Sequence, residues 1–192
     1  MSHAIHYAAE TAKILEAFDY ARIEALAEEL SLIRSNGGRV FCIGVGGGSA
    51  NASHAAADFR RLCGINAFAP TDCIAEFTAR ANDEGWNQSF AGYLAMNDAK
   101  GRDALFIFSV GGGNGPVSSN IVVAINEARK RDMTILGIVG RDGGHTKLHG
   151  HCVIVVPTVS EERVTPHTEG FQMVILHCLV SHPKLQRQTT KW

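Results

Sequence analysis

A glycine-rich loop is the first part of this sequence that could do chemistry. Residues 44–49 (GVGGGS) follow a short apolar run and precede a predicted helix. Backbone N–H groups of such a loop, together with the helix dipole, favour an anionic group such as phosphate. No Lys-Ser or Lys-Thr follows, and the acidic partner of a dinucleotide ribose is missing, so the loop is neither a Walker loop nor a clear dinucleotide fingerprint. The loop therefore predicts a phosphate site, and the alternative is an ordinary tight turn.

A second loop, residues 109–119 (SVGGGNGPVSS), has the same position after a strand and adds hydroxyl groups. Ser109 lies at the predicted strand end, and Ser118 and Ser119 lie at the start of the next helix. Hydroxyls combined with helix-terminal amides suit a phosphomonoester better than a dinucleotide. Serines at a helix start are also ordinary N-caps, so that interpretation stays open for one of the two.

Two pairs of titratable residues accompany these loops. His54 and Asp58 are four residues apart in a predicted helix, so both side chains share one face and could hold a metal ion or act as an acid/base pair. The alternative is a solvated surface pair. Glu169 and His177 interrupt an apolar stretch near the carboxyl end, where a histidine is more often a hydrogen-bonded core residue than a ligand.

The elements that must position these residues alternate along the chain. Apolar residues recur at three- and four-residue steps over residues 5–35, which predicts one long or two shorter amphipathic helices. Four β-branched, apolar runs predict strands at residues 39–44, 104–110, 133–140 and 152–157. Helices are predicted at residues 49–62, 120–131 and 166–180. This order predicts a single α/β domain over residues 1–192, in which a helical hairpin (1–36) precedes a doubly wound parallel sheet (37–192) with its ligand site at the carboxyl ends of the strands.

Composition narrows the class of ligand and the compartment. Lys and Arg number 18 against 19 for Asp and Glu, so the chain lacks the positive field that nucleic-acid binding needs. The 5 cysteines are scattered, without a CxxC pair, as expected of buried thiols in a reducing compartment. No signal peptide or membrane span is predicted. We expect a cytoplasmic protein with no nucleic-acid or membrane partner.

Several motifs together resemble one family. The segment GVGGGSANASHAAADF at 44–59 resembles the glycine loop and following helix of the SIS (sugar isomerase) domain, and specifically of the bacterial phosphoheptose isomerases. NDEGWN at 82–87 resembles the family's NDFGFN substrate-binding segment, and GRDGG at 140–144 resembles its GKDGG turn. Residues 165–177 resemble the segment that completes its metal site. The resemblance covers nearly the whole chain and implies a Rossmann-like, three-layer sandwich.

The resemblance also implies a metal site. It places the family's His, Glu, Gln and His ligands on His54, Asp58, Glu169 and His177, a set that suits zinc or a harder divalent ion. Residues eight apart in a straight helix are about 12 Å apart along its axis, too far to bind one ion comfortably. Glu169 must therefore lie at a frayed helix start, or one of the two ligands comes from a different subunit.

The implied substrate contacts fall partly on altered positions. Val45 stands where the family has Asn, Gly48 where it has Ser, and the second loop is longer and poorer in hydroxyls at its start. The position of the phosphate can therefore differ from that of the family. The residues assigned to phosphate are Val45, Gly46, Gly47, Ser49, Ser109, Val110, Gly111, Ser118 and Ser119, and those assigned to sugar hydroxyls are Asn82 and Asp83.

The family interconverts sedoheptulose 7-phosphate and D-glycero-D-manno-heptose 7-phosphate through an enediol, usually as a zinc-containing homotetramer with active sites between subunits. On this scheme Asp58 is the base, His177 is the general acid or a metal ligand, and Glu169 is a ligand that also touches sugar hydroxyls. Metal-free proton transfer by a His/carboxylate pair stays open. So do two alternative functions: isomerisation of another phosphorylated sugar, such as an octose phosphate, and a non-catalytic SIS scaffold like the replication-initiator-associating protein.

Overall fold

The structure is a computed structural model that describes residues 2–115 and 117–189. Pro116, within the predicted phosphate loop, lies outside the described residues. Five strands form one sheet in the order β2-β1-β3-β4-β5, and every neighbouring pair is parallel. The strands are β1 (Arg39–Gly44), β2 (Asn66–Phe68), β3 (Ala104–Ser109), β4 (Thr134–Val139) and β5 (Cys152–Val155). The parallel α/β sheet is as predicted.

The number of strands predicted from the sequence was too low by one. Strand β2 has three residues, and only Ala67 among them is buried. A segment this short shows neither alternation nor an apolar run, so its sequence carries no strand signal. It pairs with β1 through Arg39 and Asn66 at the edge of the sheet.

Eight α-helices are described. They are α1 (His3–Glu16), α2 (Tyr20–Ser35), α3 (Gly47–Cys63), α4 (Ile74–Asp83), α5 (Ser89–Met96), α6 (Ser119–Lys130), α7 (Gly144–His149) and α8 (Val164–Val180). The leading helical segment is thus a hairpin of two helices. Among the described residues, no helix is both long enough and apolar enough to cross a membrane.

Two hydrophobic layers cover the sheet, because successive side chains of a strand point to opposite faces. Phe106 and Phe108 of β3 face α2, α3 and α8, whereas Leu105 and Ile107 face α5 and α6. All of these strand side chains are buried. The result is the predicted three-layer sandwich, in which α3 and α8 lie side by side on one face.

The N-terminal hairpin is joined to the C-terminal part of the chain by polar contacts. Arg163 Nε and Nη2 each lie 2.8 Å from a carboxylate oxygen of Glu10, and His167 Nε2 lies 2.8 Å from Glu10 Oε2. The hydrogen bonds from Arg163, and to a smaller extent the His167 contact, lower the pKa of Glu10 to about 2. In α2, Arg34 donates hydrogen bonds to the carbonyls of Lys184 and Leu185.

Candidate active site

The first glycine loop connects β1 to α3 in two residues. Gly46 has φ of 60°, a left-handed conformation that favours glycine, and it occupies the N-cap position of α3 without a side-chain cap. A side chain at Gly48 would collide with the Phe108 carbonyl of β3, so glycine allows α3 to begin directly against the sheet. The Ser49 hydroxyl donates to the Gly46 carbonyl at 2.7 Å. The loop lies at the carboxyl edge of the sheet, where the amides of Gly48 and Ser49 donate to the carbonyls of Val45 and Gly46 at 3.1 and 3.0 Å.

The second loop lies beside the first because β1 and β3 are neighbours. The Ser109 hydroxyl accepts a hydrogen bond from the Gly112 amide at 3.1 Å. The Gly112 carbonyl in turn accepts from the Thr146 amide (2.9 Å) and hydroxyl (2.7 Å), and the Gly113 carbonyl accepts from the His145 amide at 3.0 Å. These hydrogen bonds hold the second loop against the start of α7. Its glycines thus serve backbone packing, while Val110 and Gly111 remain half-buried at the rim.

The two hydroxyls at the start of α6 differ in their contacts. Ser118 occupies the N-cap position, but its side chain makes no hydrogen bond to the helix. The Ser119 hydroxyl donates to Asn87 Oδ1, which brings the NDEGWN segment against the second loop. Asn82 and Asp83 lie exposed at the end of α4, and their side chains are 2.8 Å apart. Asn87 was not predicted as a site residue, because its contact with Ser119 spans 32 residues and leaves no local pattern.

The structure brings three of the four predicted metal ligands together. His54 Nε2 lies 3.1 Å from Asp58 Oδ2, and the rings of His54 and His177 meet edge to face with centroids 5.4 Å apart. One donor atom from each of these residues lies within 4.8 Å of the others. His54 and His177 are exposed and Asp58 is half-buried. His177 therefore lies on the open face of α8 and is not the core histidine that its apolar neighbours suggest.

Glu169 does not join this cluster within one chain. It lies five residues after Val164, the first residue of α8, so the predicted frayed helix start is not found. Its carboxylate lies against Gly47, at the first turn of α3. The eight-residue step to His177 corresponds to about 12 Å along the helix axis. The His54, Asp58 and His177 cluster thus lies further along the α3/α8 pair than the glycine loop, beside which the Glu169 carboxylate lies.

The three-residue cluster has donors that fit zinc. Two imidazole nitrogens and a carboxylate oxygen are common ligands of this ion, and three protein ligands with an open fourth position are typical of catalytic sites. Ligand atoms around a tetrahedral zinc ion lie about 3.4 Å apart, so His54, Asp58 and His177 need only small side-chain rotations to close around one.

A wide polar cleft continues from the second loop along the carboxyl ends of β4 and β5. Its volume is about 720 Å³, and its lining includes Asn114, Arg141, His145, Thr158 and Glu161. Arg141 adopts φ of 52°, which is uncommon for a residue with a side chain. None of these residues was predicted as a site residue, although the GRDGG motif marks the turn that carries Arg141.

Comparison with known proteins agrees with the fold and the motifs. Residues 6–140 match the SIS domain family. The phosphoheptose isomerase of Chlorobaculum parvum is 31% identical over 183 residues, which cover 91% of this chain and 83% of that protein. That of Methylococcus capsulatus is 32% identical over 166 residues, covering 82% and 80%.

Solved structures show the same architecture. The phosphoheptose isomerase of Neisseria gonorrhoeae matches with a TM-score of 0.79 at 24% identity, over 92% of this chain and 94% of that chain. The corresponding protein of Francisella tularensis matches with a TM-score of 0.78 at 23% identity, over 94% and 97%. The predicted family is confirmed. With full-length relatives above 30% identity and a family match over most of its length, the chain belongs to the SIS domain family, within its phosphoheptose isomerase group.

Proposed function

We propose that the protein is a sugar-phosphate isomerase that interconverts sedoheptulose 7-phosphate and D-glycero-D-manno-heptose 7-phosphate. Its relatives over most of the chain are phosphoheptose isomerases, which supports an isomerase of this type. The observation that carries the proposal is the convergence of His54, Asp58 and His177 within 4.8 Å, on a helix pair whose α3 begins at a glycine loop that suits phosphate. Neither feature alone would indicate this reaction.

Aldose–ketose isomerisation moves a proton between adjacent carbons through an enediol. Asp58 is half-buried, and one of its oxygens faces His54 while the other can take the proton from carbon and return it to the neighbouring carbon. Without a bound ion, His177, exposed beside them, donates a proton to the carbonyl oxygen of the substrate and recovers one from the neighbouring hydroxyl. A zinc ion or another divalent ion held by these three residues would supply positive charge that stabilises the negative charge on that oxygen. Without an ion, the His54–Asp58 pair still offers a base and its orienting partner.

Binding of the rest of the substrate is assigned to the loops. The amides of Gly46 and Gly47 and the hydroxyls of both loops hold the phosphate, because N–H groups at a helix N-terminus favour anions. Asn82 and Asp83 hold sugar hydroxyls from the end of α4. The phosphate contacts that we propose are Val45, Gly46, Gly47, Ser49, Ser109, Val110, Gly111, Ser118 and Ser119.

We propose a homotetramer with active sites between subunits. The open face of α8 carries Gly170, Val174, His177 and Cys178, and 53% of the Val174 surface is exposed. An apolar helix face that also carries an incomplete ligand set is suited to burial against a second copy. In such an assembly, Glu169 of the partner subunit would complete the cluster that the chain's own Glu169 does not reach.

A cytoplasmic location is proposed from the cysteines. Cys42, Cys63 and Cys152 are buried and Cys73 and Cys178 are exposed, all as free thiols. Free thiols persist in a reducing compartment.

The experiment is a coupled assay on ketose phosphates of five to eight carbons, run with and without a chelator. We expect turnover of the seven-carbon substrate, its loss with chelator and its recovery on adding Zn²⁺. Preference for an eight-carbon substrate would support the second candidate, an octose phosphate isomerase, which the altered sequence of the second loop favours. A tetramer that turns over no sugar phosphate would overturn the proposal in favour of a scaffold.

A further inference from the structure

A buried amide stands in the otherwise apolar part of α8. Gln172 is fully buried, with Phe171 before it and Ile175 and Leu176 after it in the core. Burying an amide costs free energy unless its hydrogen bonds are made. Both ends of this amide are satisfied, since Nε2 donates to the Ile138 carbonyl of β4 at 3.0 Å and Oε1 accepts from Asn51 Nδ2 at 2.8 Å. The side chain therefore links α8 to the sheet and to α3.

Asn51 makes a second bond to α8. Its Nδ2 also donates to the Glu169 carbonyl at 3.0 Å. One side chain on the second turn of α3 thus holds two points of α8 that are a turn apart. The other contacts between these helices are the His54–His177 ring contact, the Glu169 carboxylate against Gly47, a weak bond from the Cys63 thiol to the Val180 carbonyl at 3.9 Å, and apolar packing that includes the small residues Ala52 and Ala55. Apolar contacts are non-directional, whereas amide hydrogen bonds demand a narrow range of distance and angle.

The alignment of the two helices sets the spacing within the cluster of His54, Asp58 and His177. His54 lies three residues after Asn51, and His177 lies five residues after Gln172. A shift of one helix past the other by a single residue is about 1.5 Å, and metal–ligand distances tolerate about 0.2 Å. The 5.4 Å separation between the His54 and His177 rings therefore survives only if the axial alignment of α3 and α8 is held.

We propose that Asn51 and Gln172 are a positioning pair, which fixes the axial alignment of α3 and α8 and thereby assembles His54, Asp58 and His177 into a site for a divalent cation. The pair contacts neither the ion nor the substrate. The inference rests on the proposed function only in that the cluster binds a cation. The alignment itself can be measured in metal-free protein.

The test compares three variants with the wild-type protein. Gln172→Met keeps the length of the side chain and removes its hydrogen bonds. The double variant Asn51→Leu/Gln172→Met replaces both partners by apolar groups, which avoids leaving an unpaired buried amide. The control is Leu179→Met, a volume-conserving change at a fully buried position of the same helix. Thermal unfolding establishes that each variant folds.

Two readouts follow. In metal-free protein with ¹³C-labelled histidine, we expect the ring signals of His54 and His177 to shift in both Gln172 variants and to stay unchanged in Leu179→Met. Zn²⁺ affinity, measured by competition with a chelator, should fall at least about tenfold in both Gln172 variants. This loss is expected in the double variant even if its stability equals that of the wild type. Unshifted signals, or wild-type Zn²⁺ affinity in the double variant, would overturn the inference. Wild-type protein that fails to bind Zn²⁺ would defeat the proposed cation site, while the histidine signals would still decide the alignment.

Discussion

The Glu169 carboxylate lies against the α-carbon of Gly47, so closely that a β-carbon at residue 47 would overlap it. This contact joins the proposed phosphate loop to the helix that carries His177. It also places a negative charge beside amides that favour anions, where the resembling family has an uncharged Gln. Glycine at residue 47 and the charge at residue 169 can each be tested.

Gly47→Ala should displace the Glu169 carboxylate and disturb the start of α3. Because the overlapping atoms are the far end of a flexible side chain that can rotate away, we expect a small loss of stability and a raised KM for the sugar phosphate. In a Glu169→Ala background, Gly47→Ala should have little further effect on stability or KM, because the overlapping group is then gone. Urea unfolding and steady-state kinetics of the double-mutant cycle measure the coupling. Additive effects of the two substitutions would contradict the contact.

Glu169→Gln should strengthen the binding of inorganic phosphate. Unit charges 4 Å apart repel by about 1 kcal/mol in water and about 4 kcal/mol near a protein surface, so removing one should lower the inhibition constant of phosphate several-fold. The difference should shrink as salt is added. Glu162→Gln is the matched control, since that side chain is 85% exposed and faces Arg163. Equal inhibition constants in the two variants would place the phosphate away from Glu169.

Asp58→Asn should abolish isomerisation without unfolding the protein, because it removes the proposed base at nearly constant volume. General base catalysis contributes about 10²- to 10⁴-fold, so kcat should fall by at least that lower figure. Asp98→Asn, at a side chain 75% exposed on a distant turn, should leave kcat unchanged. Circular dichroism checks the fold. A variant with wild-type kcat would remove Asp58 from the mechanism.

Val174→Glu should break the proposed tetramer. A carboxylate on the open apolar face of α8 would be desolvated at the subunit contact, whereas in a monomer it stays in water. Light scattering at micromolar concentration should show a smaller particle, and activity should fall with it if Glu169 of the partner subunit is needed. Leu148→Glu, at a leucine 73% exposed on α7, is the control. An unchanged mass for Val174→Glu would move the interface elsewhere.

The stabilising contribution of Glu10 should be lost as the pH falls. Hydrogen bonds from Arg163, followed by the His167 contact, lower the pKa of Glu10 from 4.5 to about 2. A lowered folded-state pKa means that the contribution of Glu10 is fully present above about pH 4.5 and is lost as the pH falls towards 2. The stability difference between wild type and Glu10→Gln should therefore shrink across this window. Urea unfolding at several pH values measures it, with the exposed Glu16→Gln as control. A constant difference would show that the ion pair is not formed.

Long apolar runs made most of the sheet predictable. Strands β1, β3, β4 and β5 lie within two residues of the predicted bounds, because strands buried on both faces leave a continuous apolar signal. Helices α4, α5 and α7 were not predicted. They are 10, 8 and 6 residues long, and α7 begins at a glycine, so their periodicity is weak.

The site was only partly predictable for a different reason. The four-residue step and the family resemblance indicated His54, Asp58 and His177, which the structure brings together. The place of Glu169 depends on how α3 and α8 align, and Asn87 reaches Ser119 from a distant segment. Such relations arise from tertiary packing and leave no local pattern.

Contacts between the N-terminal hairpin and the C-terminal part of the chain affect how the protein folds. Glu10 meets Arg163 and His167 across 153 and 157 residues, and Arg34 meets Lys184 and Leu185 across 150 and 151. Contacts this distant in sequence require the closure of long loops, which slows folding. During synthesis, the hairpin leaves the ribosome well before the segment it docks against exists. Its apolar face stays uncovered until then, so translation pauses that expose the hairpin for longer should promote aggregation.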